Sequence, residues 1–282
     1  KQGNDMSFQG QSFRGPGMAP QEKHLALPVV DPCRRRFLIA SDGRAGSTLI
    51  TAILGAAGLD LGMPSVNDWN PLGGAYEHPG LDQVNRTLET AEHLTDLAEK
   101  FPGLGAVTRL YRSLAKRRVR GLMKRGQCVK CSPLAAAYVF KLGLMPQIIA
   151  VYRDFGDLAR SKMLLERMQW PMIADRALHT YRNALIGIHT FGGCAISYEE
   201  MVDPQQTAWL EALADCTGLD YLTLAEARSR IARPKPRRES EKQQFHLDER
   251  LDAVERDLRL LRGRYTPPSW QYLRAVAAAG LG

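Results

Sequence analysis

A chain of 282 residues, 44% hydrophobic and 24% charged, carries enough apolar material for a sizeable core, as one large α/β domain or two small ones. No apolar run approaches the roughly 20 residues that cross a bilayer, and the first residues show no basic segment, apolar stretch and small-residue cleavage site in series, so a cytoplasmic protein is expected. The net charge of +8 favours an anionic partner but does not choose among nucleic acid, a nucleotide cofactor and an acidic membrane surface.

Residues 1–30 are rich in Gly, Gln, Ser and Pro without periodicity and read as a disordered tail. The apolar run Arg36-Phe37-Leu38-Ile39-Ala40 suits a buried strand. A glycine-containing turn follows, and Ser47 to Leu54 reads as a helix that ends near Gly58. After a Gly/Pro-rich stretch, an amphipathic helix is expected from Leu81 to Lys100. Arg109 to Arg125 holds eight Lys/Arg and no acid, either the solvated face of a helix or a surface for an anionic acceptor or lipid headgroup. Further short strands are expected at Gln127–Lys130, Gln147–Tyr152 and Cys194–Tyr198, each followed by helical sequence. Strands alternating with helices predict a parallel sheet covered on both faces.

Five cysteines (Cys33, Cys128, Cys131, Cys194, Cys216) form an odd, scattered set. The lone C-x-x-C at Cys128 and Cys131 lacks a second pair or a His cluster, and strand alternation points its thiols apart. Buried free thiols, with no metal site, are the expectation. After the basic, proline-punctuated cluster Arg233, Lys235, Arg237 and Arg238, an apolar seam runs through Leu247, Leu251, Val254, Leu258 and Leu261. It suits packing on the parent domain as well as pairing in a homodimer. The domain division read here is 31–235 for the α/β domain and 236–282 for a C-terminal helical extension.

Ser41-Asp42-Gly43-Arg44-Ala45-Gly46-Ser47-Thr48, between a strand and a helix, carries the strongest chemical signal. Small residues let the backbone curl around an anion, the helix N-terminus adds partial positive charge, and Ser47 and Thr48 add hydroxyls. Arg44 supplies a full charge. The loop is not a Walker A motif: its glycines are three apart and no Lys precedes the Ser.

This strand, G-R-A-G-S-T loop and Leu-containing helix resembles the 5′-phosphosulfate loop of sulfotransferases that use 3′-phosphoadenosine 5′-phosphosulfate (PAPS), in their bacterial and Golgi branch. The segment from Ile149 to Ser161 is similar to the family's 3′-phosphate motif, with Arg153 at a strand end and Ser161 eight residues later. Ser197 to Pro204 is similar to its Y-E-x-L/M-x-x-D-P segment, and Gly73 to His78 with Asn85 to its G-x-x-E…L-N pattern. The four lie in the family's order within Arg36 to Ile231.

The resemblance implies a three-layer, P-loop-like α/β fold and a PAPS site built by Arg44, Ala45, Gly46, Ser47, Thr48, Arg153, Ser161 and Tyr198, with Tyr198 near the adenine. Arg237 and Arg238 are candidates for a basic C-terminal loop over the 3′-phosphate. It implies charge neutralisation at the leaving oxygen by Arg44 and by Lys130, which ends the second strand before Ser132-Pro133. Animal cytosolic members carry a catalytic His where this chain has Ser132, so the base must come from elsewhere. Glu77 is the choice and His78 the alternative, its ordinary pKa near 6.5 suiting the task. The acceptor expected is a hydroxyl on a sugar, glycolipid or small alcohol, and no metal is implied. Two other readings stand beside this one. A nucleotide-dependent small-molecule kinase would need a Lys in the first loop and a magnesium carboxylate at a strand end. A basic, non-catalytic binder of nucleic acid or anionic lipid would use residues 109–125, although Tyr111 is the lone aromatic there and nucleic acid is not expected.

Overall fold

The computed structural model describes residues 35–64, 76–231 and 249–261. The tail 1–30, Cys33, Arg237, Arg238, Leu247 and the expected boundary at 235/236 lie outside them.

Four strands, β1 (Arg35–Ala40), β2 (Cys128–Lys130), β3 (Met145–Tyr152) and β4 (Gly193–Ser197), form one sheet in the order β2-β1-β3-β4. Every pairing is parallel, with Ile39 opposite both Lys130 and Ile149, and Ile149 in turn opposite Cys194. Parallel pairing needs crossover segments that cover the sheet, and strands covered on both faces read as continuous apolar runs. Phe37-Leu38-Ile39-Ala40 and Ile148-Ile149-Ala150-Val151 are such runs, and all eight residues are buried.

Alternation splits these residues between two cores. Leu38, Val129, Ile148, Ala150 and Ala195 face the helices α2 (Leu81–Lys100), α3 (Gly105–Met123), α4 (Ala135–Lys141) and α6 (Trp170–Phe191). Phe37, Ile39, Ile149, Val151 and Ile196 face α1 (Ser47–Ala56), α8 (Ala208–Thr217) and α9 (Tyr221–Arg230). The three-layer α/β arrangement expected from the alternation of elements is therefore present. Between the long helices and strand ends lie α5 (Phe155–Leu165) and the short α7 (Tyr198–Val202).

The apolar seam near the C-terminus forms α10 (Glu249–Leu260). Leu251, Val254, Leu258 and Leu261 are buried in the same core as α6, so within the described residues the seam packs on the parent domain. Cys128 and Cys131 belong to opposite cores, as strand alternation requires, and the four described cysteines are buried free thiols. Burial pushes the Cys131 thiol up to about 12 and Cys128 higher still, leaving both protonated and poor as ligands or nucleophiles.

Expected strand ends shift by one or two residues. β3 begins at Met145, two residues before the expected Gln147, with Pro146 one residue inside its start. Tyr198, read as a strand residue, opens α7 instead.

Gly193 at the start of β4 has φ +148°, and a Cβ there would strike the Ile148 carbonyl, its register partner. Gly193→Ala is therefore expected to cost about 3 kcal/mol, from backbone strain and the displaced β3–β4 pairing. Chemical denaturation measures this. A wild-type midpoint would contradict the close approach of β4 to β3 at Gly193.

Candidate active site

In a parallel sheet all C-terminal strand ends lie along one edge, and ligands bind outside that edge where the chain reverses its direction of winding. Here the reversal flanks β1, because the chain runs from β1 to β2 on one side and then crosses to β3 on the other. Ser41–Gly46 leaves β1 there, Lys130 ends β2, Arg153 follows β3 and Tyr198 follows β4.

The loop after β1 is tightly curled. Gly43, Arg44 and Gly46 have positive φ (66°, 55° and 96°). Gly46 occupies the N-cap of α1 in the left-handed region and has no side chain with which to satisfy the first turn. Among the described residues, the N–H groups of Gly43, Arg44, Ala45, Gly46, Ser47 and Thr48 find no acceptor. Successive free N–H groups at the positive end of a helix form a concavity for an anion. Arg44 stands exposed at its rim, Ala45 turns its methyl into the core, Ser47 is buried and Thr48 is half-buried.

Gly46 is also a steric necessity. A Cβ there would stand 2.5 Å from Tyr198 Cδ2 and 2.9 Å from Met201 Cε. The Tyr198 ring lies on the loop backbone and stacks with the Arg153 guanidinium at 4.8 Å. Asp157 Oδ2 lies 3.8 Å from Arg153 Nη2, while the buried Arg153 Nε has no hydrogen-bond partner among the described residues. A buried guanidinium N–H left unpaired is costly unless an acceptor joins it. Arg153, Ser161, Tyr198 and Arg44 line one cleft of about 590 Å³, together with Leu165 and Val202.

On the other side of the loop, a smaller chamber of about 200 Å³ is lined by Ser41, Gly43, Ser47, Glu77, Asn85 and Lys130 among others. Lys130 Nζ contacts Glu77 Oε1 at 3.1 Å. Burial lowers the Lys130 ammonium from its ordinary range, and Glu77 pulls it partly back. Asn85 Oδ1 accepts from the Ser132 N–H at 3.0 Å and from Cys131 Sγ at 3.5 Å, fixing the segment that follows Lys130. The chamber continues into a groove of about 660 Å³ between α2 and α6, bordered by Arg86, Glu89, Asp175, Arg176 and His179.

The structure thus brings Arg44, Arg153, Ser161 and Tyr198 to one cleft, with Gly46 against the Tyr198 ring, and Ser47, Glu77 and Lys130 to the adjoining chamber. His78 is not brought there. It is buried beside the Leu61–Gly62 backbone and Arg125, and burial lowers its pKa below 6.5. Among the described residues that line the chamber, Glu77 is present and His78 is not.

Three residues with a hand in the site were missed. Asp42 and Lys162 form a buried ion pair at 2.9 Å, each side chain 1% exposed, with the ammonium off the line a hydrogen bond needs. Burial raises the Asp42 carboxyl above its ordinary range against the pull of Lys162. The pair ties the loop after β1 to α5, next to Ser161. Glu199 accepts from the Asp154 N–H at 3.1 Å and from Ser197 Oγ at 2.7 Å, joining the ends of β3 and β4. The sequence signal was weak: Lys162 adjoins Ser161 and Asp42 adjoins Gly43, but each alone reads as a surface charge.

Comparison with protein-family models, with curated proteins and with solved structures found no match.

His179 Nε2 lies 2.8 Å from Glu92 Oε2, spanning from α6 to α2 beside the groove. The hydrogen bond to Glu92 raises the His179 pKa above 6.5, with burial opposing it. A raised folded-state pKa means that the stabilisation is fully present below about pH 6.5 and is lost as pH rises through the higher folded value. Titration of the His179 ring by NMR is expected to give a midpoint above 6.5 that falls toward 6.5 in Glu92→Gln. Identical midpoints in the two proteins would contradict the tie.

Proposed function

We propose that this chain is a sulfotransferase with a P-loop-like α/β fold, which moves a sulfuryl group from PAPS to an acceptor hydroxyl. The observation that carries the reading is the pairing of two anion receptors across one cleft. One is the nest of free N–H groups with Arg44 after β1. The other is Arg153, with its buried unpaired Nε, beside Ser161 on α5. A ligand with two separate phosphate groups fits two such receptors, and the Tyr198 ring, in contact with Gly46 and Arg153, sets their spacing. In this reading Gly43 to Thr48 hold the 5′ end and Arg153 with Ser161 the 3′-phosphate.

PAPS, when bound, supplies an activated sulfuryl group. The chain's own residues supply orientation and charge. The acceptor oxygen enters from the chamber and attacks sulfur in line; its new S–O bond forms as the bond to the bridging phosphate oxygen breaks. Arg44 and Lys130 neutralise the charge that collects on the departing oxygen. Glu77, 3.1 Å from Lys130, takes the acceptor proton. The polar groove between α2 and α6 is where the rest of a hydroxylated acceptor lies.

The test is conversion of PAPS to 3′-phosphoadenosine 5′-phosphate in the presence of a panel of glycosides and small alcohols. Wild type is expected to turn over with some of them. Glu77→Gln should slow turnover about 10²- to 10⁴-fold while leaving PAPS affinity unchanged, and Lys130→Met should lower kcat by at least a similar factor. Unaltered turnover in Glu77→Gln would refute its role. Phosphoryl transfer from ATP with magnesium, without use of PAPS, would replace the proposal with the kinase reading.

A further inference from the structure

The strongly basic helix α3 takes no part in the site just described. It pairs antiparallel with α2: Thr108 Oγ1 donates to the Leu94 carbonyl, Arg112 to Thr95, and Arg118 to Thr87 and the Gln83 carbonyl. That contact buries Thr108, Ala115, Val119 and Leu122. The opposite stripe, residues 106, 110, 113, 117, 120 and 124 at helical spacing, is exposed throughout.

The composition of this outer face changes along its length. Near the N-terminal end Leu110, 66% exposed, stands on the stripe, Val107, 41% exposed, lies at its flank, and Phe101, 60% exposed, stands just before the helix. From the middle onward it is cationic, with Arg117, Arg120 and Lys124 on the stripe and Arg109 at its side. None of these four meets a carboxylate among the described residues. Arg120 and Lys124 also border a cleft of about 370 Å³, to which Arg36 and Lys141 contribute two more cations and, among the described residues, none contributes an acid. This cleft lies at the N-terminal edge of the sheet, by the start of β1 and β3, whereas the candidate active site lies at the C-terminal edge.

Soluble surfaces intersperse charges of both signs, and leave large apolar residues singly rather than in line with a cationic stripe. Exposed apolar side chains at one end of the helix, followed by Arg and Lys along its outer face, match a membrane interface, where apolar side chains enter the acyl boundary and cations meet lipid phosphates. A nucleic acid would be met by cations and by aromatic or polar side chains toward bases, and has no use for exposed Val107 and Leu110. We infer that the outer face of α3 docks on an anionic phospholipid surface, with Phe101, Val107 and Leu110 at the acyl boundary and the Arg36–Arg120–Lys124–Lys141 cleft taking a lipid phosphate. Burial, with Arg112 and Lys116 nearby, lowers the Lys141 ammonium from its ordinary range, and a phosphate in the cleft would relieve that strain. The inference stands apart from the sulfotransferase proposal, since no residue is shared.

Flotation with phosphatidylcholine vesicles, with and without phosphatidylglycerol, tests it. The chain is expected to float with the anionic vesicles and not with phosphatidylcholine alone, less at high salt. Each surface cation contributes roughly fivefold in affinity, so the triple variant Arg117→Ala, Arg120→Ala, Lys124→Ala should lose on the order of a hundredfold. All three side chains are exposed or at the cleft rim, and an unchanged melting temperature would show that the variant is folded. Leu110→Ser should weaken flotation while leaving retention on soluble heparin unaltered. Wild-type flotation of the triple variant would overturn the inference. So would a chain that binds heparin or duplex DNA but not anionic vesicles, or a Leu110→Ser variant with full vesicle affinity.

Discussion

The Tyr198 ring lies between Gly46 and Arg153, and the geometry of the candidate site depends on that sandwich. On one side the ring touches the loop after β1 so closely that any residue but glycine at position 46 would collide with it. On the other it carries the guanidinium that follows β3 at 4.8 Å. Three adjacent strand ends are thereby held in one arrangement. Glu199 fastens the same assembly from behind through the Asp154 N–H and Ser197. The parallel sheet makes this convergence available, because strands that run the same way deliver all their C-terminal residues to one edge.

Charge at that edge is organised in two tiers. Buried below it, Asp42 and Lys162 neutralise each other and couple the first loop to α5. Breaking such a pair by removing one member costs several kcal/mol, so the pair makes the relative position of loop and helix stiff. Above it, the loop N–H groups, Arg44 and Arg153 present positive charge or polarity outward. Lys130 faces the chamber with Glu77 as its partner, so one cation and one base are held together beside the loop. This division leaves the upper tier free to meet an anion while the lower tier fixes its shape.

The architecture was largely legible in the sequence. The four apolar runs became the four strands and the amphipathic run from Leu81 to Lys100 became one helix with those ends, because burial on two faces leaves an unbroken apolar signature. The loop from Ser41 to Thr48 was legible as well, since its small residues serve a backbone requirement that is local. Positions decided by tertiary packing were not. No local sequence feature marks Lys162 as buried against Asp42, or the loop residue His78 as buried. The seam at Leu251 to Leu261 suited two partners equally, and its packing into the core shared with α6 is a tertiary contact that its spacing alone does not specify.

The central claim is that the two anion receptors across the Tyr198 cleft bind one nucleotide with separate 3′- and 5′-phosphates. Calorimetric titration with 3′-phosphoadenosine 5′-phosphate, beside ATP with magnesium, tests it most directly. The account predicts tight binding of the bisphosphate, weak binding of ATP, and roughly a hundredfold loss for the bisphosphate alone in Arg153→Ala, as for a charge-assisted hydrogen-bonded contact. Absence of bisphosphate binding, or a preference for ATP with magnesium that Arg153→Ala does not disturb, would contradict it.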